Sequence, residues 1–207
     1  MPAKGSKPLS VNNLRTEYLE NPLGIDVRKP RLGWRIASDK RGVMQGACQV
    51  QAAANPADLA AGKLLWDSGK VSSESASIRY DGPQGISGQR IHWRVKAWDQ
   101  KGHPSDWSEP AWFELGLLEQ KDWQADWIEV GWEEDPKAFK PCPFFRRDFT
   151  LDKKVRSARL YITSHGLYEA WLNGQRVGDQ VFTPGYTAYD KRLQYQVYDV
   201  TKLLQKS

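Results

Sequence analysis

A chain of 207 residues, 40% hydrophobic and 27% charged, is long and apolar enough for two globular domains with real cores. Its formal charge of +5 is diffuse: residues 1–116 carry 16 Lys and Arg against 12 Asp and Glu, and residues 117–207 carry 14 against 13. With no basic stripe or recognition helix, and no apolar run of about 18 residues, these features exclude a nucleic-acid binder and a membrane-spanning helix.

The amino-terminal "MPAKGSKPLS" has charge but no apolar core of a signal peptide, so the expected location is cytoplasmic unless a leader has been removed. Short β-rich runs then follow one another, broken by Gly, Pro and Ser: "LRTEYL" (14–19), "RLGWRI" (31–36), "ACQVQAAA" (47–54), "KLLWDSG" (63–69) and "ASIRY" (76–80). Between the third and fourth, "NPADLAAG" predicts a helix of at most two turns, with Asn55 as cap, Pro56 in the first turn and Gly62 as stop. "QRIHWRVKAWD" is the clearest strand: Ile91, Trp93, Val95 and Ala97 fall on one face, and Arg90, His92, Arg94 and Lys96 on the other. Only Trp98 breaks the alternation. In "SDWSEP", Trp107 is expected to pack against basic side chains ahead of the last strand, "AWFELG" (111–116). About seven strands in about a hundred residues predict an all-β sandwich of fibronectin III or immunoglobulin type over residues 1–116.

The pattern changes near "LGLLEQKDWQADWI" (115–128), and residues 117–207 are expected to form the first part of a second, jelly-roll-like β-sandwich. A polar, Pro-rich loop, "GWEEDPKAFKPCP", precedes predicted strands in "FFRRDFTL" (144–151), "ARLYIT" (158–163), "YEAWL" (168–172), "QRVGD" (175–179) and "RLQYQVYD" (192–199). Asn173-Gly174 between the third and fourth is a strong signal for a type I′ hairpin, because both residues tolerate positive φ. That turn sets Leu172 opposite Gln175, Trp171 opposite Arg176 and Ala170 opposite Val177. Trp171 and Arg176 thus share a face, either as a cation–π pair covering the sheet or as a platform for a sugar ring. Pro184-Gly185 marks a turn in the longest connection, and "DVTKLL" a capped turn.

Groups that could do chemistry are sparse. His92, His103 and His165 have no metal-ligand spacing, "TSHG" lacks the strand-turn-helix setting of a nucleophile elbow, and no phosphate-cradling glycine loop occurs. No cofactor is expected. Cys48 and Cys142 fall in different predicted domains, which argues against a disulfide framework. Glycoside hydrolysis needs two carboxyl groups facing across a cleft; the densest acids, Glu133, Glu134 and Asp135, sit in the Pro-rich loop, where solvation is the simpler reading.

Taken in order, "LRTEYLENPLGIDVRKPRLGW" (14–34), "LWDSGKV" (65–71), "HWRVKAWD" (92–99), "SDWSEPAWFELGLL" (105–118) and "DWQADWI" (122–128) resemble the amino-terminal region of bacterial α-L-rhamnosidases. "YEAWLNGQRVGDQVFTPGYTAYDKRLQYQVYDVTKLL" (168–204) resembles the start of the N domain that follows in that family. The resemblance implies an enzyme of β-sandwich domains, a helical α/α barrel and a further β domain, which releases terminal L-rhamnose with inversion. In that family the acid and base carboxylates lie in the barrel, and no segment here matches it, so no catalytic residue is carried over.

The implied partner is therefore the catalytic barrel, with a rhamnose-containing glycan as a second. A freestanding carbohydrate-binding module is the alternative, with Trp171, Tyr186 and Tyr189 as stacking residues and Asn173, Asp190 and Arg192 as polar partners. A fibronectin III-type adhesion protein is a third reading, supported by "SDWSEP" alone. A jelly roll represented by about half its strands is expected to expose apolar faces and unpaired edges.

Overall fold

The computed structural model describes residues 9–204 apart from positions 134, 136 and 140. It divides into two compact units, with the division between Asp122 and Trp123.

The first unit packs two antiparallel sheets face to face. One consists of β1 (Ser10–Thr16), β2 (Arg31–Ala37) and β6 (Ser77–Arg79), in the order β1-β2-β6. The other has β3 (Gln45–Ala53) against β7 (Arg90–Asp99), with β8 (Ala111–Glu114) beyond β7. Two short strands, β4 (Trp66–Asp67) and β5 (Val71–Ser72), pair with β3 on its other side. "LRTEYL" is placed differently from its expected span. The strand starts earlier, and Glu17 and Tyr18 turn with φ of 47° and 67° so that Thr16 and Leu19 bridge back to each other.

In β7 every second residue from Ile91 to Asp99 is buried. Trp93, at 0% exposure, centres a core shared by Leu32 and Trp34 of one sheet and Val50, Ile91 and Phe113 of the other. Fully burying such side chains contributes about 1.5–3 kcal/mol each, and this burial is what holds the sandwich. The outer face is paved instead with cations on rings. Arg90 lies 3.8 Å from the Trp112 centroid, Arg94 4.6 Å from Trp107, and Lys70 4.7 Å from Trp98. Trp98 is thus an outer-face residue, half-covered by lysines.

The serines of "SDWS" continue the ladder where β8 stops. β8 pairs with residues 90–93 of β7. Further along, the Ser108 and Ser105 backbones bond Val95 and Ala97, and the same serines' Oγ atoms accept from the Val95 and Ala97 N–H groups at 3.1 and 3.0 Å.

The helix α1 (Pro56–Ala61) forms as its sequence predicts. Asn55 Oδ1 accepts from the Asp58 N–H at 2.9 Å, and Gly62 ends the helix in the left-handed region. Past Gly116 the chain stays with this unit, because Leu118 packs on the core and donates its N–H to Ser87 Oγ at 2.8 Å.

The second unit is also β-rich, with shorter strands. β9 (Arg159–Ile162) pairs antiparallel with β12 (Gln196–Asp199), and β10 (Trp171–Leu172) with β11 (Gln175–Arg176). A 3-10 turn, Thr201–Leu203, follows β12. The expected strand in "FFRRDFTL" is not formed. No ladder partner faces it among the described residues, and Phe144, Phe145 and Phe149 are 99%, 55% and 57% exposed. A strand is stable through its neighbour's hydrogen bonds, and aromatic composition does not replace them.

Candidate functional site

Asn173 and Gly174, with φ of 51° and 76°, make the predicted turn, and Trp171 stands opposite Arg176. The guanidinium, however, does not lie on the indole. Arg176 Nη2 donates to the Gln180 carbonyl at 2.7 Å and approaches Glu169 at 3.6 Å, which leaves Trp171 61% exposed. Asn173 is committed to structure, its Nδ2 donating to the Leu203 carbonyl at 2.8 Å and tying the hairpin to the 3-10 turn.

Behind the hairpin a polar network fixes the loop that carries the other candidates. The Tyr168 hydroxyl donates to Gln196 Oε1 at 2.9 Å and lies 3.2 Å from the Tyr198 hydroxyl. Gln196 Nε2 donates to the Pro184 carbonyl at 3.1 Å, and Thr183 Oγ1 to the Tyr168 carbonyl at 3.0 Å. Burial, reinforced by the bond with Tyr198, pushes the Tyr168 phenol well above its usual value and keeps it protonated.

Tyr186 and Tyr189 project from this loop, and two residues outside the sugar-binding candidates, Trp127 and His165, join them. Tyr189 stacks on His165 with planes 2° apart and centroids 4.9 Å apart. His165 in turn meets Trp127 at 4.8 Å, and Tyr186 meets Tyr189 at 5.8 Å. The result is a continuous shelf of four rings. The Tyr189 hydroxyl accepts the Gly166 N–H at 3.0 Å, which ties the shelf to the turn after β9. Its end rings are open, with Tyr186 89% and Trp127 65% exposed. Asp190 and Lys191 form an exposed ion pair at 3.2 Å, and Arg192, also exposed, closes the loop by donating its backbone N–H to the Ala188 carbonyl.

Trp171 and Asn173 therefore belong to the hairpin, and Tyr186, Tyr189, Asp190 and Arg192 to the loop after it. Trp127 and His165 had a sequence trace in "DWQADWI" and "TSHG", but those segments lie far apart in the chain and only the fold stacks them.

Of the other groups that could do chemistry, some are tied into structure and others are exposed. Asp135 caps a turn by accepting from the Lys137 N–H at 2.8 Å, Glu133 is exposed, and Glu134 lies outside the described residues. Burial, helped by the nearby Arg90 charge, pushes His92 below its usual value, so it is neutral at pH 7. Cys48 is buried, which pushes its thiol up, and Cys142 is exposed. Among the described residues no three His, Cys, Asp or Glu side chains gather as a metal site, and no helix is long and apolar enough to cross a membrane.

The first unit is an immunoglobulin-like sandwich, and the second is a β-rich unit with an aromatic shelf. Residues 11–119 match the family described as Rha78A-like, N-terminal immunoglobulin domain, and residues 153–207 match the alpha-L-rhamnosidase N-terminal domain. The chain belongs to this α-L-rhamnosidase amino-terminal family. It is 39% identical over 198 residues to an alpha-L-rhamnosidase of Formosa agariphila, covering 92% of this chain and 21% of that protein. To one of an Alteromonas species it is 35% identical, covering 92% and 22%. Among solved structures it is similar to the alpha-L-rhamnosidase of Dictyoglumus thermophilum, with a TM-score of 0.88, 33% identity, and coverage of 98% of this chain and 24% of that one. The Aspergillus terreus enzyme gives 0.72 and 30%, with coverage of 96% and 22%. The chain thus spans about a fifth of the length of the curated relatives it matches.

Proposed function

We propose that this chain is the non-catalytic β support of an α-L-rhamnosidase, holding a helical barrel that cleaves terminal L-rhamnose and contributing to recognition of the glycan. The observation that carries this reading is the match of both units, in order, to the amino-terminal domains of α-L-rhamnosidases over nearly the whole chain. The chemistry agrees with it: Glu17, Asp67 and Asp99 of the first unit are engaged by an arginine, an amide and a backbone N–H group respectively. A chimera tests the support role. Replacing the matched region of the Dictyoglumus thermophilum enzyme with this chain is expected to give a folded protein that hydrolyses an aryl α-L-rhamnoside. A folded but inactive chimera contradicts it.

The exposed four-ring shelf favours a second reading, a freestanding carbohydrate-binding module. That reading gains if the chain binds rhamnosides while the folded chimera is inactive.

A further inference from the structure

Two kinds of exposed aromatic surface occur in the second unit. Phe139, Phe144, Phe145 and Phe149 are hydrocarbon rings without polar edges. The shelf differs, because each of its four rings carries a heteroatom: the Trp127 indole nitrogen, the His165 imidazole nitrogens, and the Tyr186 and Tyr189 hydroxyls. Such rings offer a flat apolar face and a hydrogen-bonding rim together, which is the pairing a pyranose presents from its own side, C–H groups on one face and hydroxyls around the edge.

The inner rings of the shelf and the backbone of its loop are also held in place before any ligand arrives. Tyr189 is fixed by the Gly166 N–H on its hydroxyl and by His165 on its face, and His165 lies between Tyr189 and Trp127. The loop bearing both tyrosines is closed by backbone bonds from Lys191 and Arg192 to the Ala188 carbonyl and by the Gly185 N–H on the Phe182 carbonyl. Binding to prearranged rings avoids most of the cost of ordering side chains.

We propose that Trp127, His165, Tyr189 and Tyr186 form a sugar-binding subsite that takes a terminal 6-deoxyhexopyranose on its exposed end rings, Tyr186 and Trp127. The choice of sugar rests on the function proposed above, whereas the shelf does not. A methyl group in place of the hydroxymethyl at C6 gives a 6-deoxyhexose more apolar area to lay on aromatic rings.

Saturation-transfer NMR on the full 207-residue chain, with methyl α-L-rhamnopyranoside and methyl α-D-glucopyranoside as probes, tests the proposal. The rhamnoside is expected to receive the stronger transfer. Tyr186→Ala and Trp127→Ala are each expected to weaken its binding at least about tenfold, since each removes a stacking ring, whereas Phe144→Ala on the other surface leaves it unchanged. Both shelf side chains are largely exposed, so circular dichroism should show the fold retained. No transfer to either sugar, or transfer indifferent to both shelf variants, overturns the subsite. Preference for the glucoside overturns the deoxyhexose assignment alone.

Discussion

At the scale of single residues, Thr16 is a polar group with little reason to be polar. It is 1% exposed at the end of β1, and its Oγ1 has no hydrogen-bond partner among the described residues. Val has nearly the same shape, so Thr16→Val should leave the melting temperature unchanged or raise stability by up to about 1 kcal/mol. A loss larger than that in chemical denaturation would mean that the hydroxyl is bonded. Gly178 is the converse case. Its φ is 72°, and a Cβ added there would run into the Tyr198 ring. Gly178→Ala should destabilise the second unit by more than about 1 kcal/mol, from strain and displacement of Tyr198 together. An unshifted unfolding midpoint would refute it. Neither effect was visible in the sequence, because both depend on what lies across space.

Elements whose determinants are local were legible. The helix Pro56–Ala61 is specified by Asn55, Pro56 and Gly62 within eight consecutive residues, and the 171–176 hairpin by Asn173-Gly174. Asn55→Ala removes the bond to the Asp58 N–H and is expected to cost about 1 kcal/mol by thermal unfolding, and Asn55→Ser to restore most of it. Equal stability of the two variants would deny the cap a role. "FFRRDFTL" was misread for the opposite reason. Its composition is strand-like, but a strand needs a neighbour's ladder, and composition carries no information about the neighbour. The shelf was half-legible in the same sense: Tyr186 and Tyr189 lie three residues apart in one loop, whereas Trp127 and His165 reach them only through the fold.

For the molecule as a whole, the first unit's charge network sets its response to acid. Hydrogen bonds from the Arg31 side chain hold Glu17 below the usual carboxylate range. Asp99 is held low by His103, whose Nδ1 lies 2.9 Å away, and by the His103 and Lys101 N–H groups. Burial opposes ionisation of Asp67, but the Gln49 and Gln51 amides, the Gly69 N–H and Arg94 outweigh it. All three pKa values are lower folded than unfolded, so their stabilisation is complete above the unfolded values of about 4 and is lost as pH falls through the folded ones. Asp67→Asn should therefore lower the melting temperature at pH 7, with the gap to wild type closing below about pH 4. A gap that did not narrow at all as pH fell from 7 to 2 would contradict the assignment. The succession of an immunoglobulin-like unit and a rhamnosidase amino-terminal unit was legible because the family motifs run along both units in order.

The most direct measurement is release of p-nitrophenol from p-nitrophenyl α-L-rhamnoside by the purified 207-residue chain. The expected rate is that of buffer alone at every pH from 4 to 8, with or without excess protein. A rate that saturates with substrate and scales with the concentration of the chain would contradict the assignment of this chain as a support.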